Sequence, residues 1–403
     1  MKILIISKFY PPENSARAIQ MAKVVASIVH GEYCKVQILA GLPKGDKPAN
    51  SDCPIKYVEY ENWTSPCNTS LIRRIKNARQ NLKRTSAWIA EASAVAINLL
   101  QTFKPDIILS ASSPLDCHKV TLNIIKKQKI PWAAFFSDIM PPSIAPYPYT
   151  IKMKPTNFLW LRKLRNITIQ TLTKSNAVVM SNELAFSYMS EKLGIDISSK
   201  SYIIPHVGDT FLIDKSAAID TKLLKNRIVH IGLIDKARSC RELLEAARLL
   251  HKEMPDKFSG LLFVGNVEQS FVDMTTEEER KNLFIFKGKV PTSIANEYIK
   301  QAKSLLLLEA DMIISPYLPS KMAEYSVNGH NIVAITPKKS SIRQYIDDFG
   351  GGYCASRNID EIKEALRQSI LDNHNSQSCK LAEIFSSTTI AKHYYHMFEN
   401  ILK

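Results

Sequence analysis

Short apolar runs alternate with amphipathic stretches of helical period along nearly the whole chain, and this alternation constrains the fold more than any other feature. KILIIS at Lys2–Ser7, RIVHI at Arg227–Ile231 and NIVAIT at Asn331–Thr336 are apolar at successive rather than alternate positions. Strands of that kind must be covered on both faces, as in parallel sheets. A helix-length connection between consecutive strands returns the chain to the same edge and makes the pair parallel. The expected class is therefore α/β. At 403 residues the chain exceeds one ordinary core, so two such domains are expected.

In the first half the runs are Lys2–Ser7, Val36–Ala40, PDIIL at Pro105–Leu109, PWAAFF at Pro131–Phe136, AVVM at Ala177–Met180, and Ile203–Ile204. Helices are expected at Ile19–Ile28 and Val120–Lys127. The alternation restarts after a boundary near residues 207–222. RIVHI, GLLFVG, NLFIFKG, SLLLLEADMIIS (Ser304–Ser315) and NIVAIT then follow, with amphipathic helices between them. This sets domains at residues 1–207 and 208–386.

The most informative turn is LPSKMAEYSVNG, Leu318–Gly329. Pro319 opens it, a helix is expected from about Lys321, and Gly329 stops that helix. Free N–H groups at the helix tip and the helix dipole favour an anion, and Lys321 adds a full charge. Glu324 lies one turn along, where a carboxylate accepts hydrogen bonds from two sugar hydroxyls. Phosphate at the tip and hydroxyls one turn away describe a nucleotide. The turn after Lys2–Ser7, with Asn14, Ser15 and Ala16, is a second place where backbone N–H groups can meet a diphosphate.

The residues Pro319, Ser320, Lys321, Glu324, Tyr325, Gly329, Thr336 and Pro337 resemble the donor loop of GT-B glycosyltransferases of family 4, whose bacterial members carry a PSKxxEY motif. The likeness extends to the YPPE start, to the SSP turn with His118 beyond it, and to the strand ending at Asp138. The resemblance implies two Rossmann-like domains facing across an interdomain cleft, with a last helix, about 387–403, crossing back to the first. It implies a retaining transferase moving a sugar from a UDP- or GDP-sugar to a hydroxyl, with Arg238 and Lys321 on the diphosphate and Gly232 in the second phosphate turn. Lys236 is the alternative to Arg238. Asp138 and His206 map to the cleft, and His118 is either catalytic or structural. The family's glycine-rich first turn is here Asn14, Ser15, Ala16 and Arg17. A Glu that the resemblance places eight positions before Glu324 is here Pro316, and Glu309 is the candidate to replace it. No Asp-x-Asp metal motif occurs, and no metal or other cofactor is expected.

Charge is uneven. Residues 1–200 hold 27 Lys and Arg against 13 Asp and Glu, whereas the remainder is nearly balanced. A nucleotide-binding half needs no such excess, so it points to the other ligand or to a surface. Arg73, Arg74, Lys76, Arg79, Lys83 and Arg84 share a segment free of Pro and Gly, with Leu71, Ile72, Ile75, Leu82 and Trp88 as apolar contacts. Such a helix suits an anionic membrane surface, RNA, or plain solvation. With the family resemblance, the expected partner is a lipid-linked oligosaccharide of lipopolysaccharide, O-antigen or capsule synthesis, at an anionic membrane and without nucleic acid. A sugar-nucleotide epimerase of GT-B fold and a non-catalytic basic binding protein are the alternatives.

No run reaches the roughly 18 apolar residues of a membrane span, and the apolar part of MKILIISKFYPP is too short for a signal peptide. Seven cysteines, scattered and odd in number, fit neither a disulfide framework nor a zinc site. A cytoplasmic protein with reduced thiols is expected, peripheral on the inner face of the membrane.

Overall fold

The computed structural model describes residues 1–63, 71–209, 218–372 and 380–403, and for Leu71, Ile72 and Arg74 the backbone alone. Residues 210–217, within the expected boundary stretch, lie outside the described residues. The chain divides into two compact units. The first comprises Met1–Ala145, Tyr149–His206 and Ser387–Lys403, and the second Pro146–Pro148 and Val207–Ser386.

The strands of the first unit are β1 (Lys2–Ser7), β2 (Lys35–Pro43), β3 (Ile55–Tyr60), β4 (Ile107–Ala111), β5 (Trp132–Phe136), β6 (Ala177–Met180) and β7 (Ser201–Ile203). They form one parallel sheet in the order β3-β2-β1-β4-β5-β6-β7. Between them run α1 (Ala16–His30), α2 (Leu71–Thr102), α3 (Asp116–Ile124), α4 (Phe158–Lys174) and α5 (Glu183–Leu193). The chain first winds outward from β1 to β3, then returns to place β4 on the other side of β1. A reversal of that kind leaves a crevice at the carboxyl ends of the two central strands.

Local chemistry shifts several boundaries. Helix α1 begins at Ala16, ahead of the expected Ile19, because Ser15 caps it by accepting from the Ala18 N–H at 3.2 Å. Strand β4 starts at Ile107, not Pro105: the Asp106 carboxylate ties back to the Lys2 N–H at 2.7 Å, and Pro105 has no N–H to give. Helix α3 spans Asp116–Ile124 instead of Val120–Lys127, with Asp116 in its first turn where the dipole favours it.

The second unit repeats the plan. Its strands are β8 (Arg227–Ile231), β9 (Gly260–Val264), β10 (Phe284–Phe286), β11 (Ser304–Leu308), β12 (Ile314–Ser315), β13 (Asn331–Ile335), β14 (Lys339–Ser340) and β15 (Gly352–Ala355). Six form a parallel sheet, β10-β9-β8-β11-β13-β15, while β12 and β14 pair separately. The helices are α6 (Arg241–Glu253), α7 (Gln269–Val272), α8 (Glu277–Asn282), α9 (Thr292–Gln301), α10 (Ser320–Val327), α11 (Ser341–Phe349), α12 (Ile359–Leu371) and α13 (Lys380–Ile384). The run Ser304–Ser315 is thus two strands broken at Glu309, not one. Two apolar layers enclose the sheet. Leu243, Leu244, Ala247 and Leu250 of α6 pack on one face with Leu306 and Val333, and Met322, Ala323 and Tyr325 of α10 pack on the other with Leu305 and Ile332.

The last helix, α14 (Ser387–Leu402), belongs to the first unit and packs along α1. It buries Ile390, Ala391, Tyr394, Met397 and Phe398, and Tyr395 stacks on Tyr33 with ring centroids 4.7 Å apart. Cys34, Cys53, Cys117, Cys240 and Cys354 are free thiols. Among the described residues no helix is long and apolar enough to cross a membrane.

Candidate functional site

Within the second unit, the chain reverses between β8 and β11, and the two turns of interest meet there. Helix α10 is entered through Pro319 in an extended conformation, and Gly329 leaves it at φ +76°. Met322, Ala323, Tyr325 and Ser326 face inward, which turns Glu324 to the opposite side and leaves Lys321 on the flank, one helical turn before Tyr325. The Lys321 ammonium lies directly over the turn after β8: a Cβ built on Gly232 would stand 1.6 Å from Nζ. Gly232 itself has φ +127°, and Gly265 presses on its backbone so closely that a Cβ there would sit 2.2 Å from the Gly232 carbonyl oxygen. Only glycine satisfies both demands at these two turns. Burial lowers the Lys321 ammonium to a pKa of about 8, against the pull of Glu324 and with a further push from Arg238.

Arg238 is held by Asp235, whose carboxylate accepts from the Arg238 backbone N–H at 3.0 Å and from its guanidinium at 3.1 Å. Lys236 is exposed. The turn carrying Arg238 is clamped by Arg357, which donates to the carbonyls of Ser239 (2.6 Å), Ala237 (3.2 Å) and Glu309 (3.1 Å). The Glu309 carboxylate is buried and accepts from the hydroxyls of Ser315 and Thr336, the latter also paired with Ser340. Burial raises it to a pKa of about 7, with those hydroxyls and Arg238 opposing. His230, on β8 below the turn, donates to or accepts from the Leu306 carbonyl at 3.0 Å, and burial with nearby Lys321 holds it neutral near pKa 3. An open cavity of about 370 Å³ lies beside this framework at the ends of β11 and β13, with Glu309, Asp311, Thr336, Lys338 and Arg357 in its walls. Lys321 and Gly232 are not part of that wall.

Gly232, Arg238, Lys321 and Glu324 are therefore brought together. Pro319 and Ser320 supply the helix start. Tyr325 is different: fully buried, it anchors α10 in the core, so as a donor-binding residue it is corrected to a packing residue. Asp235, Arg357 and His230 did not emerge from sequence reasoning. Asp235 and Arg238 form a D-x-x-R turn that local spacing could have disclosed. Arg357 acts across more than a hundred residues, and no local pattern marks it.

In the first unit, Ser15 is occupied as the cap of α1, and Asn14 and Ala16 are exposed beside it. Arg17 donates to the Asp138 carboxylate at 2.7 Å, as does Ser137 at 3.1 Å. Asp138 thus lies at the α1 start as an ion-paired group. His118 is fully buried: its Nδ1 lies 2.7 Å from Ser110 Oγ, its ring packs on Phe136, and burial takes its pKa down to about 3. That setting makes His118 a packing residue and corrects its candidacy for catalysis. His206 is half-buried at the last position before the second unit. The crevice between β1 and β4 holds a pair that sequence reasoning missed: Lys8 Nζ meets Asp116 at 2.7 Å and lies over the rings of Trp88 and Tyr60.

Loss of the Arg357 clamp should loosen the Arg238 turn. Arg357→Ala removes three charge-assisted bonds to carbonyls, so the chain should lose roughly 2 kcal/mol in urea melts. Arg357→Lys should recover less than half, because an ammonium cannot span three carbonyls set for a planar fork. Full recovery by lysine would show that charge alone matters there.

No protein-family profile matches the chain, and neither does any curated protein. Solved structures do. Anabaena HepE in complex with UDP and glucose superposes with a TM-score of 0.62 at 14% identity, covering 99% of both chains. Sucrose-phosphate synthase from Thermosynechococcus elongatus gives 0.64 at 11% identity over 99% of this chain and 98% of that one. UDP-GlcNAc 2-epimerase from Neisseria meningitidis bound to UDP-GlcNAc gives 0.54 at 14% identity over 99% and 100%. The likeness spans both units and shows the fold, two Rossmann-like domains of GT-B type shared by glycosyltransferases and sugar-nucleotide epimerases.

Proposed function

We propose that the chain is a retaining glycosyltransferase that takes a sugar from a UDP- or GDP-sugar and places it on a hydroxyl of a lipid-linked saccharide in lipopolysaccharide, O-antigen or capsule synthesis. The observation that supports it most is the Lys321 ammonium poised over the Gly232 turn, with Arg238 electrostatically coupled to it. A diphosphate set there would meet two cations and the N-terminus of α10. As the bond from the anomeric carbon to the diphosphate oxygen breaks, charge builds on the leaving group, and fixed cations stabilise it more in the transition state than before. No metal takes part in this reading. The UDP and UDP-sugar complexes of the structural neighbours support a nucleotide-sugar donor. The basic first half supports an anionic, lipid-linked acceptor.

Epimerization is the second reading, favoured by the epimerases among the neighbours. Incubation with labelled UDP- and GDP-sugars separates the two. A transferase releases nucleoside diphosphate, slowly to water and faster with acceptor lipid extract, whereas an epimerase returns the 2-epimer still bound to its nucleotide. Neither product with any donor would dismiss both readings.

Glu324 then holds the ribose hydroxyls. Glu324→Gln keeps the shape and loses the charged acceptor, so the affinity for UDP should fall by roughly 1.5–3 kcal/mol, read by calorimetry. Wild-type affinity in that variant would remove Glu324 from the site.

A further inference from the structure

The first unit carries exposed apolar residues where its charge is most one-sided. Of the described side chains from Arg73 to Lys83 of α2, all but Asn77 and Asn81 are exposed, and Ile75 and Leu82 are 43% and 38% exposed. The reason is geometric. Trp88 marks where α2 meets the sheet, donating from its indole to the Val58 carbonyl of β3 at 3.2 Å, and the turns before it run past the strand ends. A second stretch leads into α4. Residues 151–156 are all exposed, including Met153 at 57%, and Leu159 in the first turn of α4 is 76% exposed beside Phe158 at 41%. This loop is built rather than slack: Asn157 accepts from the Lys154 N–H at 2.7 Å and donates to the Lys152 carbonyl at 3.1 Å.

The two stretches belong to one layer. Helix α2 packs on α3, and α3 on α4. Each follows a strand of a parallel sheet, so all three start at its carboxyl edge. No Asp or Glu stands between Glu61 and Glu91, or between Asp138 and Glu183. Cations crowd the layer as well, since burial and then nearby Lys126, Lys163 and Lys174 lower the pKa of Lys119 on α3. The nearest acids are already paired, Asp116 of α3 with Lys8 and Glu61 with Arg84, and a surface so basic that also leaves Leu, Met and Phe in water fits a partner that rewards both, charge at its surface and hydrocarbon beneath it.

We propose that the N-terminal ends of α2 and α4, with the 151–156 loop, dock this protein on a bilayer of anionic lipid. The lysines and arginines meet the headgroups while Ile75, Leu82, Met153, Phe158 and Leu159 enter the acyl boundary. The inference goes beyond the transferase reading and does not depend on it.

The test is co-sedimentation of the full chain with vesicles of phosphatidylglycerol and phosphatidylcholine, against vesicles of phosphatidylcholine alone. Binding should need the anionic lipid and weaken at high salt, because the attraction falls off within a Debye length of about 8 Å at physiological ionic strength. Two triple variants divide the contributions: Lys152→Glu, Lys154→Glu and Arg162→Glu in one, and Met153→Ser, Phe158→Ser and Leu159→Ser in the other. Each should lower partitioning at least roughly tenfold, with unchanged thermal melts and unchanged UDP affinity, since these exposed positions lie outside the nucleotide site. Equal binding to both vesicles, or none, overturns the proposal. So does loss in the charge variant alone combined with competition by single-stranded RNA, which would mark a polyanion site. Failure of the unaltered chain to bind the anionic vesicles while it still binds UDP, or wild-type partitioning by both triple variants, would sink the docking surface and leave the donor site standing.

Discussion

Replacing Lys321 by Ala should lower turnover of the sugar nucleotide roughly 10²-fold or more, the usual cost of removing a charge contact to a leaving oxyanion. The same loss should follow from the other partner. Gly232→Ala puts a methyl where Nζ now lies, 1.6 Å away by construction, on a backbone at φ +127° that alanine rarely adopts. Both variants should keep their far-UV dichroism while losing diphosphate affinity. The pH dependence gives an independent check. With Lys321 at a pKa of about 8 in the free protein, a diphosphate held at this turn should bind the protonated form, so affinity for the proposed UDP ligand should decline above pH 8. Lys321→Arg stays charged and should flatten that decline. Turnover within threefold of wild type in both Lys321→Ala and Gly232→Ala would remove the diphosphate from this turn.

Glu309 bears on stability in its own right. Its carboxyl rises from 4.5 to about 7 on folding, so protons bind the folded state more tightly than the unfolded one. The stabilisation is complete below pH 4.5 and is lost as pH rises through 7, amounting to roughly 3 kcal/mol at the alkaline end. Glu309→Gln mimics the protonated form and should make the urea midpoint nearly independent of pH between 6 and 9, exceeding wild type at the upper end. Glu309→Ala does the opposite. It leaves the buried hydroxyls of Ser315 and Thr336 without their acceptor and should cost roughly 2–4 kcal/mol at any pH. A glutamine variant with the wild-type slope would assign the titration to another group.

The parallel architecture was legible because successive apolar residues leave few alternatives: β1, β8 and β13 emerged at or near their expected ends. The Lys321 turn was legible for the same local reason, a proline, a short helix and a glycine at φ +76°. What stayed hidden depends on contacts far apart in the chain. Motif residues adjacent in sequence need not share a face: on α10, Glu324 looks outward while its neighbour Tyr325 is sunk among Leu305 and Ile332. His118 stood open between a catalytic and a structural role, and α3 begins early enough to bury it against Phe136. Strand β11 ended sooner than its apolar run, at Glu309, whose carboxylate takes the hydroxyls of Ser315 and Thr336 from two other segments. Spacing within one stretch cannot report such a cage.

The place of α14 also orders events in time. Its five buried side chains cover α1, yet they are made only after the whole of the second unit. The second unit is one nearly continuous stretch, Val207–Ser386, and can close as soon as it has been synthesised. The first unit, although begun earlier, keeps an apolar flank of α1 open until Ser387–Lys403 arrives. Domains fold in general as they emerge, N-terminal first. Here the sequence is inverted, and a chain stopped at Ser386 should present a finished second unit joined to a first unit that binds chaperones.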